Sequence, residues 1–390
     1  MKSGSVKLKY SAKNPKRSVL NKIADFFVHS RYRAYLMGGC PRDMVLGVDP
    51  VDIDIVIEGD VLKAARELNK ILKGKLLAYK DFNTASIITK TGNRVDLAGA
   101  RTETYPSPAE LPRVIPATIK EDLQRRDFTI NALCMSLNRA DLGELYDPFS
   151  GVNDIRKGLI RILHDQSFVD DPTRVFRALR YKNRFGFRLD KATDARLRDA
   201  IAKNMIERLS GQRVLNELRL IFAEKSEAQV LRDLVRYGIV SLPRAKLIML
   251  DRMGELKLYA FMAHTRFKHL PLPSHEAQLV REVGRLDQII ARLSRARHYH
   301  QIYEILATLP PEIMSVIPAL KPTLNNKVNA FKKMRHVKPL ITGNDLKKIG
   351  LKPGPAYKRL LAKTFKLQLD GKISAKNRSK ALEALKKHGQ

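Results

Sequence analysis

Cysteine is scarce in this chain, and its scarcity excludes several kinds of site. Cys40 and Cys134 are the only two cysteines among 390 residues. They lie too far apart in the chain to form a CxxC-type zinc site, and two cysteines do not make a disulfide-rich scaffold. A reducing compartment fits this composition, so we interpret the protein as cytoplasmic.

Long apolar runs are lacking as well. Stretches such as Leu247–Leu250 are far shorter than the ~20 apolar residues that a membrane-spanning helix requires. The first twenty residues are basic but contain no continuous apolar segment, so they do not resemble a secretory signal. They are rich in lysine and poor in arginine, which makes a transit peptide a weak alternative. We expect no membrane partner.

Acidic residues are in short supply relative to basic ones. The chain has 73 Lys+Arg against 40 Asp+Glu, a net charge of +33. The stretch 331–390 alone has 17 basic and 3 acidic residues, and no acid occurs from Lys2 to Lys22. Such charge attracts polyanions whatever their sequence, which favours a nucleic-acid partner. The alternatives are an anionic membrane surface and a basic tail that is merely solvated.

The pattern of apolar residues divides the chain into two regions. The alternating segment Val51–Ile57 has the period of a half-buried strand. Further strands are predicted over Ala85–Thr89 and Arg94–Ala98, joined by a hairpin turn at Thr91–Asn93. Beyond Asp170, apolar residues recur every three or four positions, which is typical of amphipathic helices. Because 390 residues exceed a typical single domain, we predict an α/β amino-terminal sheet domain followed by largely α-helical domains.

Two carboxylates lie two residues apart in the first predicted strand. Asp52 and Asp54 would leave the same face of that strand, where they repel each other unless a cation neutralises them. Alone, they fit a solvated strand face as well as a metal site. Upstream, Gly38 and Gly39 allow close backbone approach to a phosphate, and Arg42 supplies a charged fork. Together these features predict a nucleotidyl-transfer site.

The segment Gly38–Gly47, with the two aspartates that follow it, resembles the first motif of the class II tRNA nucleotidyltransferase and bacterial poly(A) polymerase family. Pro41 departs from the usual aliphatic residue, whereas Arg42 and Asp43 remain in register. The resemblance implies a polymerase-β-like fold for the sheet domain. It also implies Mg²⁺, with two ions expected, bound by the two aspartates.

A second segment, Arg125–Leu133, resembles the family's second motif, which implies recognition of the ribose and triphosphate. Guanidinium forks suit triphosphate oxygens, and the carboxylate in this segment can accept from a ribose hydroxyl. The candidate nucleotide-binding residues are Arg125, Arg126, Asp127 and Asn131.

Asp96 lies on a predicted strand where the wider superfamily often has a third acid; a metal-related role and a structural role remain open.

The segment Asp170–Tyr181 begins with acids and a proline, which predicts the start of a helix. A carboxylate can accept from the exocyclic amine of cytosine or adenine while a guanidinium donates to a ring acceptor. The segment resembles the family's amino-acid template, and the matching positions are Asp171, Arg174, Arg177 and Arg180. Asp170 replaces the usual Glu, which leaves the choice between C and A open.

Glu207–Glu217 resembles the next motif, to which we assign support of this helix and no chemistry.

The carboxyl-terminal segments Leu340–Leu346 and Gly350–Pro355 resemble the tail that grips tRNA in one branch of the family. Glycine turns beside basic side chains suit contacts with backbone phosphates. The candidate tRNA-binding residues are Lys347, Lys348, Lys358 and Arg359. We therefore predict a nucleotidyltransferase head at 1–146, a helical neck with the nucleotide-reading helix at 147–240, a helical body at 241–330 and a basic helical tail at 331–390.

The predicted function is addition of C and/or A from CTP and ATP to the 3′ end of tRNA without a nucleic-acid template, with release of pyrophosphate and no obligate protein partner. Poly(A) synthesis is an alternative, but Gly92–Tyr105 does not resemble the signature of that branch. The resemblance makes CC-only addition less favoured, because the family links that product to loss of the loop between the first two motifs, and the loop is present here. A tRNA-binding module without catalysis is opposed by the intact aspartate pair. Complete CCA addition and A-only addition remain open.

Overall fold

A mixed sheet of seven strands, with Asp54 on its central strand, forms the core of the amino-terminal region. The computed structural model describes residues 16–50, 52–351 and 354–388. The strand order in the sheet is β3-β4-β5-β2-β1-β8-β9, and β6–β7 and β10–β11 form two small separate sheets. The strands are β1 (Arg33–Met37), β2 (Ile53–Glu58), β3 (Lys75–Tyr79), β4 (Thr84–Ile88), β5 (Arg94–Gly99), β6 (Arg101–Thr104), β7 (Arg113–Pro116), β8 (Cys134–Ser136), β9 (Leu145–Tyr146), β10 (Leu159–Ile160) and β11 (Arg188–Leu189).

The central strand β2 pairs with β1 in antiparallel and with β5 in parallel orientation. Its side chains Ile53, Ile55 and Ile57 are buried, whereas Asp54 on the opposite face is partly exposed. This alternation is the one that predicted a half-buried strand. The strand begins at Ile53, and Val51 lies outside the described residues.

The predicted hairpin is present as β4 and β5. Their ends are joined by a turn in which the Thr89 amide donates to the Asn93 carbonyl at 2.8 Å and the Gly92 amide donates to the Thr89 carbonyl at 2.9 Å. Gly92 has a φ of +80°, a conformation that glycine adopts without strain. The loop predicted between the first two motifs contains a second hairpin, β6–β7.

Helices surround this sheet and follow it in the first of two units into which the chain divides, Met1–Ile239. They are α1 (Lys16–Val28), α2 (Gly39–Val45), α3 (Val61–Leu72), α4 (Ile119–Gln124), α5 (Gly151–Lys157), α6 (Ser167–Asp170), α7 (Thr173–Phe185), α8 (Lys191–Ala202), α9 (Gly211–Phe222) and α10 (Glu227–Arg236).

The predicted nucleotide-reading helix is α7. Pro172 immediately precedes it, and Gly186, with a φ of +67°, ends it in the left-handed conformation. Val175, Phe176 and Leu179 are buried at the predicted helical spacing. Helix α9, which includes the second half of the Glu207–Glu217 segment, packs against α7. This contact agrees with the supporting role predicted for that segment.

The second unit, Val240–Gln390, is helical in its described residues. Its helices are α11 (Arg244–Leu250), α12 (Lys257–Ala263), α13 (Ser274–Gly284), α14 (Leu286–Arg295), α15 (Tyr299–Leu306), α16 (Pro311–Leu320), α17 (Asn325–Met334), α18 (Gly343–Lys348), α19 (Pro355–Leu369) and α20 (Arg378–His388). Across the described ranges, none of the helices has both the length and the apolar character that a membrane span needs.

The predicted domain limits can be placed on these elements. The limit at 240/241 lies next to the division between the two units. The limit at 146/147 follows β9 and stays a prediction. The limit at 330/331 falls inside α17, where Phe331 is buried and its ring centroid lies 5.6 Å from that of Tyr303 in α15. A body and tail that divide there would split one helix, so any such division lies elsewhere.

Candidate active site

A cavity of about 600 Å³ in the first unit brings most of the predicted site residues together. Its wall includes residues from the amino end of α2, from β2, from the segment after α4 and from α7. The predicted residues that line it are Gly38, Gly39, Arg42, Asp52, Asp54, Arg125, Arg126, Asp127, Asn131, Asp171, Arg174, Arg177 and Arg180. Asp43 and Asp96 were also predicted, and they are not among the residues that line it.

The two aspartates of the first motif differ in their environments. Asp52, just before β2, is exposed, whereas Asp54 is partly buried and pairs in register with Asp96 on β5. Burial, together with the negative charges of Asp96 and Asp52, raises the pKa of Asp54 to about 6 against the opposing charge of Arg126. A cation bound between these carboxylates would relieve both the burial penalty and the repulsion.

Asp96 is held by its own neighbours. Its Oδ1 accepts from the Ser86 hydroxyl and from Arg94 Nε at 2.9 Å, and its Oδ2 lies 2.8 Å from the same Arg94 nitrogen. These contacts favour the structural role of Asp96. Its charge nevertheless acts on Asp54 from the adjacent strand.

The donor set at this end of the cavity fits a metal ion only in part. Within the described ranges, no three His, Cys, Asp or Glu side chains form a cluster able to hold a metal by themselves. Mg²⁺ commonly binds through one or two carboxylates and completes its octahedron with water and substrate phosphates. Asp52 and Asp54, with the raised pKa of Asp54, match that incomplete type of site.

The two glycines at the start of α2 permit a close approach of arginine side chains. A Cβ on Gly38, whose φ is +60°, would lie 3.3 Å from Arg126 Nη1, and a Cβ on Gly39 would lie 3.2 Å from Arg42 Nη2. Arg126 donates through Nη2 to Asp122 at 2.9 Å, but its buried Nε has no hydrogen-bond partner among the described residues. An unsatisfied guanidinium donor beside a glycine turn suits an anionic ligand.

Arg42 was predicted to bind phosphate. In the structure its guanidinium group donates hydrogen bonds to other side chains of the protein. It is buried and donates through Nη2 to Asp43 Oδ1 at 2.7 Å and through Nη1 to Asn131 Oδ1 at 2.6 Å. The guanidinium also lies 4.7 Å from the ring centroid of Phe185. In this arrangement Arg42, Asp43 and Asn131 brace the wall of the cavity.

Asp127 was predicted to accept from a ribose hydroxyl, but both of its oxygens already have donors. Oδ1 accepts from the Phe128 amide at 2.8 Å and from Asn131 Nδ2 at 3.0 Å, and Oδ2 accepts from Arg177 Nε at 2.8 Å. Burial opposes ionisation, but the charge of Arg177 and the Asn131 hydrogen bond outweigh it and lower the pKa of Asp127 to about 2. Asp127 therefore orients Arg177, and its contact with a ribose hydroxyl stays a prediction.

Asp171 and Arg174, the predicted base-reading pair, both line the cavity. Asp171 Oδ1 accepts from the Thr173 amide at 3.0 Å and from Arg213 Nη2 at 2.6 Å. Because both of these bonds use Oδ1, Oδ2 is the oxygen that can accept from a ligand. Arg174 is buried and donates through Nη1 to Ser167 Oγ at 2.7 Å and through Nη2 to the Arg125 carbonyl at 2.8 Å. Both side chains are thus preorganised by protein contacts.

Several lining residues were missed by the sequence reasoning: Glu103, Tyr105, Leu111, Pro112, Thr173, Tyr181, Arg184, Arg213, Glu217 and Leu220. The helical spacing offered a signal for Arg184, which lies four residues after Arg180 on α7. No comparable signal existed for Glu103, because it reaches the site through an ion pair with Arg125, 22 residues later, at 2.7 Å.

The chain is similar in sequence to proteins of known family. Residues 34–161 match the family described as the poly A polymerase head domain. The A-adding tRNA nucleotidyltransferase of Halalkalibacterium halodurans is 31% identical over 395 residues, which cover 95% of this chain and 92% of that protein. This chain belongs to the tRNA nucleotidyltransferase family. The family predicted from the motifs is thereby confirmed.

Two further family members show the extent of the similarity. The A-adding tRNA nucleotidyltransferase of Geobacter sulfurreducens is 31% identical over 88% of this chain, but the chain spans only 44% of that relative's length. A solved structure of a CCA-adding enzyme with ATP superposes with a TM-score of 0.76 at 26% identity, covering 97% of this chain and 96% of that one. The predicted fold class, a sheet domain followed by helices, is therefore confirmed for this tRNA nucleotidyltransferase family member.

Proposed function

We propose that this chain adds A and/or C from ATP or CTP to the 3′ end of tRNA without a nucleic-acid template and releases pyrophosphate. The observation that carries the proposal is the single cavity that joins Asp52 and Asp54 to the unsatisfied donor of Arg126 and to Asp171 on the nucleotide-reading side. A nucleoside triphosphate needs the same three features in one place: a cationic centre, phosphate donors and an acceptor for its base.

In this proposal the terminal RNA 3′-oxygen attacks the α-phosphorus of the nucleotide, and the bond from that phosphorus to pyrophosphate breaks. Asp52 and Asp54 would hold Mg²⁺, with two ions proposed, which when bound neutralises the triphosphate and activates the attacking hydroxyl. Arg126 would donate to the triphosphate through its unsatisfied Nε. Catalysis then depends mainly on positioning and charge neutralisation.

Base selection is assigned to Asp171 and Arg174. Asp171, oriented by Arg213, would accept from the exocyclic amine that cytosine and adenine share. Arg174 would donate to the neighbouring ring acceptor through a guanidinium N–H that its bonds to Ser167 Oγ and to the Arg125 carbonyl leave unused. Uracil and guanine lack this combination of groups at the pairing edge.

We propose terminal A addition as the first product to test. Both relatives described above that align along nearly the whole chain are named A-adding enzymes. Complete CCA addition is the second candidate, because the CCA-adding enzyme structure with ATP covers nearly the whole chain as well.

The tail completes the proposal as a tRNA-binding surface in a cytoplasmic enzyme. Its candidate residues Lys347, Lys348, Lys358 and Arg359 are exposed on α18 and α19, where they would contact backbone phosphates. Neither Cys40 nor Cys134 forms a disulfide bond in the described part of the chain, which agrees with a reducing compartment.

The test is incubation of the protein with Mg²⁺, labelled ATP or CTP, and tRNA that ends before the first C, after CC, or after CCA. Label from ATP alone on the CC-ended tRNA would establish A addition, whereas label from CTP on the shortest tRNA followed by ATP would establish CCA addition. A long ladder from ATP on every substrate would mean poly(A) synthesis. No incorporation with any substrate would contradict the proposal and favour a binding module.

A further inference from the structure

Arg174 differs from the other arginines of the cavity in the groups that hold it. Each of the other lining arginines forms an ion pair with a carboxylate: Arg42, Arg125, Arg126, Arg177, Arg180, Arg184 and Arg213. Arg174 is only 4% exposed, yet among the described residues its hydrogen bonds go to a hydroxyl and to backbone carbonyls, with no ion pair. A buried charge without a counter-ion is costly, so this exception requires an explanation.

Ser167 supplies most of these contacts. It is the first residue of α6 and is fully buried. Its hydroxyl oxygen accepts from Arg174 Nη1 at 2.7 Å, and its carbonyl oxygen lies 3.5 Å from the same nitrogen. Arg174 Nη2 donates to the Arg125 carbonyl at 2.8 Å. The guanidinium is therefore held at two places by uncharged oxygens.

The same serine also contacts the other member of the proposed base-reading pair. The amide of Asp171 donates to the Ser167 carbonyl at 3.3 Å. The backbone of Asp171 and the side chain of Arg174 are thus joined through one buried residue. The amine and the ring acceptor of cytosine or adenine are neighbours, so the acceptor and the donor that read them need a fixed spacing. Ser167 lies where it can set that spacing.

The uncharged character of this contact has a consequence for Arg174. A carboxylate in the same place would neutralise the guanidinium, as it does for the other lining arginines. A hydroxyl oxygen accepts from one N–H and leaves both the charge and the remaining N–H groups for a ligand. The nearby acid Asp170 is not the partner of Arg174, since its Oδ2 lies 3.9 Å from His164 Nδ1.

We propose that Ser167 is a positioning residue for base selection, which holds Arg174 through an uncharged oxygen so that the guanidinium can donate to the ring nitrogen of the incoming base. This inference rests on the proposed function, because it takes Asp171 and Arg174 to read the base. Ser167 does not line the cavity, so it acts through Arg174. It also lies outside Asp170–Tyr181, the segment from which base reading was predicted.

The test is a set of double-mutant cycles between Ser167 and single groups of the base. 1-DeazaATP lacks the ring nitrogen beside the amine, and purine riboside triphosphate lacks the 6-amino group. Their Kd values and that of ATP are measured by titration calorimetry with the full chain and Mg²⁺. CTP is compared in the same way with 3-deazaCTP and pyrimidin-2-one riboside triphosphate.

The variants are Ser167→Ala, which removes the hydroxyl and keeps the backbone carbonyl, and Ser167→Cys, which replaces the hydroxyl by a weak acceptor. Ser136→Ala is the matched control, because it removes another fully buried serine hydroxyl from the same unit. That hydroxyl donates to Asp141 Oδ1 at 2.6 Å, and neither residue lines the cavity.

In the wild-type protein, loss of the ring nitrogen or of the amine should each raise Kd by about 10- to 100-fold, the usual range for a hydrogen bond to a charged group. In Ser167→Ala the penalty for the ring nitrogen should fall to about 3-fold or less, because Arg174 is no longer held in place to donate. The penalty for the amine should stay within about 2-fold of its wild-type value, since Asp171 keeps its bond to the Ser167 carbonyl. Ser136→Ala should retain both penalties.

Unchanged ring-nitrogen penalties in both Ser167 variants would overturn the inference while leaving the proposed function intact. An equal fall of both penalties would also overturn it, because Ser167 would then support the fold in general rather than Arg174. If Ser167→Ala does not fold, a fall of the ring-nitrogen penalty alone in Ser167→Cys is sufficient support. Failure of the wild-type protein to bind either ATP or CTP would refute the proposed function and this inference with it.

Discussion

Asp54 and Asp127 line the same cavity, yet the protein treats the two carboxylates in opposite ways. Asp54 lies beside Asp52 and Asp96, and burial together with those charges raises its pKa to about 6. Asp127 is also buried, but Arg177 and Asn131 hold it, and its pKa falls to about 2. One residue type thus supplies an uncompensated charge at the sheet end of the cavity and a compensated charge at the helix end.

The difference separates residues that build the cavity from residues that are available to a ligand. Arg42, Arg125 and Arg177 are bound to acidic or amide groups of the protein, so their first role is to shape the wall. Asp54, Arg126 and Glu217 retain charge or hydrogen-bonding capacity that the protein does not use. The exposed basic residues of the tail belong with the second group, the residues that are available to a ligand.

The largest expected effect is on catalysis. Asp52→Asn and Asp54→Asn should each lower nucleotide incorporation by at least about 1000-fold, because metal-assisted charge stabilisation is worth several kcal/mol. The dissociation constant for tRNA should change by less than about 2-fold, since phosphate contacts dominate RNA affinity. Single-turnover incorporation and filter binding measure the two quantities.

The matched variant for that prediction is Asp96→Asn, which neutralises the neighbouring carboxylate that Ser86 and Arg94 already bind. It should lower incorporation by about 10-fold at most, on the scale of one supporting interaction. A loss as large as that of Asp54→Asn would make Asp96 a third metal-site acid and remove the distinction from Asp52 and Asp54.

The second effect is on stability. Asp127→Asn should lower the free energy of unfolding by about 2 to 3 kcal/mol, because it leaves the partly buried Arg177 without its anionic partner. The stabilisation is present above the ordinary carboxyl pKa of 3.8 and is lost as the pH falls towards the folded-state pKa of about 2. Urea unfolding of both proteins at neutral pH measures the difference.

Two variants sharpen this prediction. Asp54→Asn, measured in EDTA, should leave stability unchanged or increased, because it removes a buried charge that has acidic neighbours. Asp165→Asn breaks an exposed pair with Arg196 and should leave the unfolding midpoint unchanged. Equal destabilisation by the Asp54 and Asp127 substitutions would mean that the two ends of the cavity do not differ as described.

The smallest effect concerns the tail. Replacing Lys347, Lys348, Lys358 and Arg359 with Gln should weaken tRNA binding and reduce the slope of log Kd against log salt by about one unit for each phosphate that the variant no longer binds. The control replaces Lys70, Lys75, Lys80 and Lys90, which are equally exposed near the β3–β4 edge of the sheet. Equal slopes for the two quadruple variants would show that only net charge matters and that the tail makes no specific interaction with tRNA.

Local features of the site were accessible from the sequence. The strand that bears Asp54, the β4–β5 hairpin and helix α7 follow from alternation, turn residues and helical spacing, which are properties of short segments. The roles of Arg42 and Asp127 were not accessible in this way. Their hydrogen-bond partners include Asn131 for Arg42, 89 residues away, and Arg177 for Asp127, 50 residues away.

By itself, the sequence determined which charged groups this protein carries and on which helices and strands they lie, because helix and strand periodicity act over a few residues. Only the tertiary structure decided which of these charges neutralise one another and which are left for a ligand. Charge interactions depend on distance and burial, and both are set when α7 and α9 pack together and the sheet brings Asp54 beside Asp96.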